Sequence, residues 1–130
     1  GKLPYARLVA LDEADTVVGW IAASPTSSRP AYRGVIEHSV YIDRADLGHG
    51  IGGHLLDAFI AAAEFQGVWT IQSSIFPGNA ASRRLHESRG FRVVGRRERI
   101  ARDSDGAWRD TLLIERRSTV VGTDSGSQRV

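Results

Sequence analysis

Cysteine is absent from the 130 residues, which excludes disulfides and thiolate metal sites. A chain without thiols suits the reducing cytosol. No apolar run reaches membrane-spanning length, and no signal-peptide pattern opens the chain. Strong charge of one sign is also lacking. A net +2 is too small to argue for nucleic acid, although arginines gather between Arg83 and Arg117. Those arginines read either as solvated strand and helix faces or as attraction for a polyanionic ligand. Methionine is missing too, even at the start, and Gly1-Lys2-Leu3-Pro4 reads as a beginning inside a longer protein.

What remains is the composition of one soluble α/β domain, 42% hydrophobic and 25% charged. Periodicity places strands at 5–11, 16–23, 35–42, 68–75, 91–100 and 107–115, with helices over 51–66 and 79–89. The order is β-β-β-α-β-α-β-β, a mostly antiparallel sheet whose third and fourth strands run side by side in parallel. A loop over 24–33, marked by its Pro and Ser content, separates the second and third strands and carries the recognition-type residues Arg29, Tyr32 and Arg33. Residues 1–118 make one domain, and 119–130 read as a polar, flexible Gly/Ser-rich tail.

The most informative stretch is Gly48-His49-Gly50-Ile51-Gly52-Gly53, between the third strand and a helix with an apolar stripe at Ile51, Leu55, Leu56, Phe59, Ile60 and Ala63. Strand, glycine-rich turn and helix N-terminus together form an anion cradle, because first-turn N–H groups lack intrahelical partners and glycines admit a ligand closely. A ligand-free glycine-rich cap stands as the alternative. A nucleotide P-loop is disfavoured, since no Lys-Ser/Thr follows the glycines.

Two motifs together resemble the GCN5-related N-acetyltransferase (GNAT) superfamily. Its pyrophosphate loop, Gln/Arg-x-x-Gly-x-Gly/Ala, matches Leu47 to Gly52, with Leu47 in place of the polar first residue. Its second helix, Asn-x-x-(Ala/Ser)-x-x-Leu-(Tyr/His)-x-x-x-Gly-Phe, matches Asn79 to Phe91. Within the superfamily, Tyr32 to Ile42, Gly19-Trp20, Leu85-His86-Glu87 and Gly106 to Asp110 are similar to the phosphinothricin and methionine sulfoximine acetyltransferase branch. That branch carries a further N-terminal strand and two helices, absent from this sequence.

The resemblance implies an acetyl-CoA-dependent N-acetyltransferase acting on the amine of a small amino acid or analogue. Transfer is direct within a ternary complex, without a metal. Acetyl-CoA is expected on Gly48, His49, Gly50, Ile51, Gly52 and Gly53, on the peptide groups of Val40, Tyr41 and Ile42, and on Asn79, Ser82 and Ser88. Glu37 is the expected base, its pKa raised by burial on an otherwise apolar strand. The other reading is a solvent-facing Glu or an ion-pair partner. His86 stands where the family's thiolate-protonating Tyr lies, and packing beneath the cofactor is its other reading. His38, facing away from Glu37, reads as structural. Arg29, Tyr32 and Arg33, with Glu37, are expected to hold an anionic acceptor, and Trp20 and Trp108 to pack. A polyamine, aminoglycoside or protein N-terminus as acceptor, or a silent CoA-binding module, stays open. So does a homodimer, common in the family.

Overall fold

The computed structural model describes residues 7–48 and 50–125. His49 and residues 1–6 and 126–130 lie outside the described residues. Six strands and two helices follow in the expected order: β1 (Arg7–Leu11), β2 (Val17–Pro25), β3 (Val35–Ile42), α1 (Ile51–Phe65), β4 (Thr70–Ile75), α2 (Ala80–Glu87), β5 (Arg92–Arg102) and β6 (Trp108–Arg117). They form one mixed sheet, ordered β1-β2-β3-β4-β6-β5, antiparallel except where β3 runs beside β4.

The stripe read from the sequence is the stripe that packs. Leu55, Leu56, Phe59, Ile60 and Ala63 of α1 are buried against Ile21, Ile36, Ile71 and Ile114 of the sheet. Phe59 is fully buried at the centre, where truncation to alanine typically costs about 3–5 kcal/mol. α2 stands on the same side, its His86 ring against Phe91 and against His38 of β3. Both helices end in Schellman caps. Gly67 (φ +89°) lets the N–H of Gly67 reach Glu64 O and that of Val68 reach Ala63 O. Gly90 (φ +87°) repeats the geometry at Glu87 and His86.

The opposite face of the sheet carries neither helix. There Val9, Trp20 and Tyr41 pair directly across three strands and are exposed, with Trp20 stacked on Tyr41 at 6.1 Å. Past β6, where the tail was expected from Thr119, the chain is hydrogen-bonded as far as Gly122. Arg117 donates to the carbonyls of Val121 (2.8 Å) and Gly122 (2.6 Å), and the Ser118 hydroxyl donates to Glu64 of α1.

Candidate active site

The α1 start is built as an open cradle. Gly48 (φ +85°) and Gly50 (φ +77°) hold left-handed conformations that a side chain strains, though a Cβ at either would meet nothing closer than 3.9 Å. Gly52 and Gly53 serve packing instead. A Cβ on Gly52 would come 3.1 Å from Leu85 of α2, and one on Gly53 would collide with the Arg89 guanidinium. That guanidinium is held across both helices by Asp57, at 3.1 and 3.3 Å. α1 has no side-chain cap and no acidic residue in its first turn, so its leading N–H groups face outward unpaired by the helix. They open into a cleft of about 310 Å³ lined by Val40, Ile42, Asp46, Leu47, Gly48, Gly50, the first turn of α1, Asn79, Ala81, Ser82 and Leu85.

The cleft continues along β3 because β3 and β4 separate. Their pairing covers only Val35 to Glu37 against Thr70 to Gln72. β3 meanwhile stays in register with β2 to Ile42, with Thr26 N–H donating to Val35 O and Asp43 N–H to Val18 O. Alternation along an antiparallel pair then turns the peptides of residues 35, 37, 39, 41 and 43 toward β2 and those of 36, 38, 40 and 42 toward β4. Val40 and Ile42 therefore present free peptide groups to the gap. Tyr41, expected to do the same, does not. Its peptide faces β2, and its side chain lies on the open face. The gap, about 220 Å³, is lined from both faces of the sheet, by Ser39 and Ser74 on one side and by Val40, Ser73 and His86 on the other, with Phe76 and Asn79 beyond β4. A passage runs through the sheet.

Asn79 caps α2 through its side-chain oxygen, which accepts from Ser82 N–H at 3.1 Å, so the cap does not use its amide NH₂, and the residue lines both clefts. Ser82 lines both clefts as well. Ser88 lines neither, contrary to its expected cofactor contact. Its hydroxyl donates to Leu85 O (2.6 Å) and accepts from Arg89 (2.8 Å). Ser73, Ser74 and Phe76 were not foreseen, although two serines inside the apolar strand Thr-Ile-Gln-Ser-Ser-Ile were the available signal. The Ser73 hydroxyl donates to His38 O at 2.9 Å, satisfying a carbonyl where the ladder has ended.

His38 and His86 are buried, 2% and 1% exposed, with their Nε2 atoms 3.0 Å apart. His86 Nδ1 lies 2.8 Å from the Ser82 carbonyl, which can only accept, so Nδ1 carries the proton. In neutral His86 the Nε2 is then the acceptor, and His38 Nε2–H donates to it. His38 Nδ1 is left as a buried acceptor without a hydrogen bond. Burial lowers the His38 pKa to about 3, helped by the adjoining His86 and opposed by the Gln72 main chain. Burial also lowers that of His86, against the Ser82 hydrogen bond. His86 thus lines the gap with both ring nitrogens engaged by neighbouring groups. Its one proton is committed to Ser82, and its second nitrogen is occupied by His38.

Glu37 also differs from expectation, being exposed rather than buried. It stands on the open face, at the last paired position before the gap, between Ser24 and Gln72 of the neighbouring strands. Tyr32 and Arg29 are exposed in the loop, and Arg29 lines a separate hollow with Arg33. The Arg33 guanidinium is engaged, lying 5.3 Å from the Trp69 ring centroid and donating to Pro30 O at 3.0 Å. Among the described residues, no group of three or more His, Asp or Glu could hold a metal, and no helix is long and apolar enough to cross a membrane.

Residues 2–91 match the acetyltransferase (GNAT) family. L-methionine sulfoximine/L-methionine sulfone acetyltransferase of Pseudomonas aeruginosa is 35% identical over 111 residues, covering 85% of this chain and 64% of that protein. Phosphinothricin N-acetyltransferase of Streptomyces coelicolor is 33% identical over 114 residues, 87% of this chain and 66% of its own length. The chain thus spans under two thirds of these relatives. Among solved structures, a phosphinothricin acetyltransferase from Sinorhizobium meliloti in complex with acetyl-CoA superposes with a TM-score of 0.77 at 29% identity, over 92% of this chain and 69% of that one. The fold is thus shared with that acetyl-CoA complex, and the chain belongs to the GNAT family of acetyltransferases.

Proposed function

We propose that this chain carries the acetyl-CoA site and catalytic strand of a cytoplasmic N-acetyltransferase acting on small amino acids or their analogues, working as a homodimer. One observation carries the reading. The unpaired N–H groups of α1 and the unpaired peptides of Val40 and Ile42 open into one continuous cleft. The first suit a diphosphate and the second a pantetheine arm laid along β3 like an added strand. Gly48, Gly50, Ile51, Gly52 and Gly53 hold the phosphates, and Asn79 and Ser82 the amides of the arm.

Val40 N–H, directed into the gap, donates to the thioester oxygen and stabilises the charge that gathers there during attack. Glu37, on the open face below the gap, takes the ammonium proton through water, so that the free amine enters from that face. Arg29 and Tyr32 meet the acceptor's α-carboxylate from the loop. The leaving thiolate is protonated by solvent in the gap, because the His38–His86 pair has no proton free for it. Amino-acid acceptors are supported by the relatives, among them an L-methionine sulfoximine/L-methionine sulfone acetyltransferase and a phosphinothricin N-acetyltransferase.

The test is release of CoA thiol from acetyl-CoA across a panel of amino acids, methionine sulfone, phosphinothricin, a polyamine and an aminoglycoside. Release with amino acids is expected, together with loss of turnover and unchanged CoA affinity in Glu37→Gln. No thiol release with any acceptor would overturn the reading.

A further inference from the structure

Near the gap, most arginines are already committed. Arg92 and Arg96 pair with Glu115 and Asp110 at 2.7 Å, Arg33 lies on Trp69, and Arg89 spans the two helices to Asp57. Arg109 differs. Leu113 pairs with Ser74, and alternation along β6 through Thr111 brings Arg109 to the same open face as Ser74. Its guanidinium lies 5.0 Å from the ring centroid of Phe76, a residue of the gap wall. Its ionic partner among the described residues is Asp103, at 3.6 Å, beyond hydrogen-bonding distance. The side chain is about half exposed. A guanidinium over an aromatic ring uses the ring face for its charge and leaves N–H donors for an anion, in the fork that fits two oxygens.

Distance decides which part of an acceptor Arg109 can meet. Arg109 lies on β6, two strand spacings across from β3, or roughly 10 Å before the gap widens it. Since Glu37 is level with Gln72 and Glu115, Arg109 stands further along the sheet, past the level of Val40 and well away from Glu37. An α-carboxylate shares its carbon with the reacting amine and stays beside β3. The terminal phosphinate or carboxylate of a side chain built on two methylenes lies three bonds further out, and is the part that can turn toward Phe76. Resting on the acetyltransferase reading, we propose that Arg109 binds the anionic side-chain terminus of the acceptor, a phosphinate or carboxylate. The substrate class is then amino acids with acidic side chains, ahead of neutral analogues of the same length. Phosphinothricin, ending in a phosphinate, and methionine sulfone, ending in a neutral sulfone, differ in the required way.

The experiment compares these two acceptors in wild type, Arg109→Gln and Arg109→Lys. It uses thiol release and, independently, calorimetric binding of each acceptor with CoA present. Arg109→Gln is expected to raise the KM and Kd for phosphinothricin at least tenfold while methionine sulfone stays within twofold, which also reports an intact fold. Arg109→Lys should recover part of the loss, since it keeps charge but not the fork. Equal changes for both acceptors, no change for either, or no phosphinothricin binding by wild type would overturn the proposal. Arginine-dependent binding without thiol release would instead sink the acetyltransferase reading and leave the Arg109 anion site standing.

Discussion

α1 and α2 end in the same way, with a left-handed glycine and paired carbonyls at Gly67 and Gly90, yet their starts are opposites. At α2, Asn79 supplies a side-chain cap to Ser82 N–H. At α1, Gly50 supplies none, and the first turn has no acid. An uncapped start leaves donors that water or a ligand must satisfy. The cap on α2 is complete within the chain, whereas the start of α1 is completed from outside. Its helix is held by the stripe from Leu55 to Ala63, so its first turn is free to be shaped for binding.

The largest expected effect comes from disturbing that first turn. Alanine at Gly50 has room, the nearest atoms being 3.9 Å away on His54, but it must hold φ near +77°, at a cost of about 1–2 kcal/mol. The loop is expected to relax instead, turning the α1 donors out of the cradle. Affinity for acetyl-CoA, read by calorimetry, should fall about 10- to 100-fold, or about 1.4–2.7 kcal/mol. Undiminished binding would break the contrast, because the α1 start would then be an ordinary helix end.

Much of the cradle was legible because its parts are local. Glycine spacing, the stripe from Ile51 and the Asn79 cap are each written within a few residues. β3 was placed at Val35–Ile42 from its β-branched run, and the parallel β3–β4 pair followed from the intervening helix. What escaped depends on partners distant in the chain. Glu37 looked buried because its strand is apolar on both sides, but helices cover only the His38 face. Which peptides of β3 face the gap depends on the β2 pairing, so Tyr41 was grouped with Val40 and Ile42. Arg33 was free until Trp69, 36 positions on, was brought beneath it. The His38–His86 contact spans 48 positions, and only the fold could show that His86 Nε2 meets His38 while its Nδ1 meets the Ser82 carbonyl.

That pair predicts a second difference between the helices, intermediate in size. α2 docks on β3 through two imidazoles held neutral, whereas α1 docks through an aliphatic and aromatic stripe. The unfolded chain, with histidines near 6.5, takes up protons before the folded one, where His38 sits near 3. Stability is therefore full above about pH 6.5 and declines as pH falls toward 3, by up to about 1.4 kcal/mol per pH unit for each histidine. Asp110, lowered by the Arg99 backbone N–H and by Arg96, adds a loss only below its ordinary 3.8. The interval from 6.5 to 4 thus belongs to the histidines. Urea midpoints should drop across that interval, and His38→Gln, which keeps an N–H for His86, should flatten the slope. An equally steep slope in the variant would remove His38 from the account.

The smallest effect is expected at Asn79, and it separates the two kinds of helix start within one residue. The side-chain oxygen serves the helix, while the cap does not use the amide NH₂ and the residue lines the cleft. Asn79→Ala removes both and should cost about 1 kcal/mol in denaturant unfolding, together with a few-fold loss of acetyl-CoA affinity. Asn79→Asp keeps the cap and favours the α2 dipole, but replaces the donor with a negative charge beside the cleft. Stability should hold within about 0.5 kcal/mol while acetyl-CoA affinity falls at least as far as in the alanine variant. Should aspartate bind acetyl-CoA as well as asparagine does, Asn79 would be a cap alone. The ligand-facing role would then rest on the α1 start and the open edge of β3.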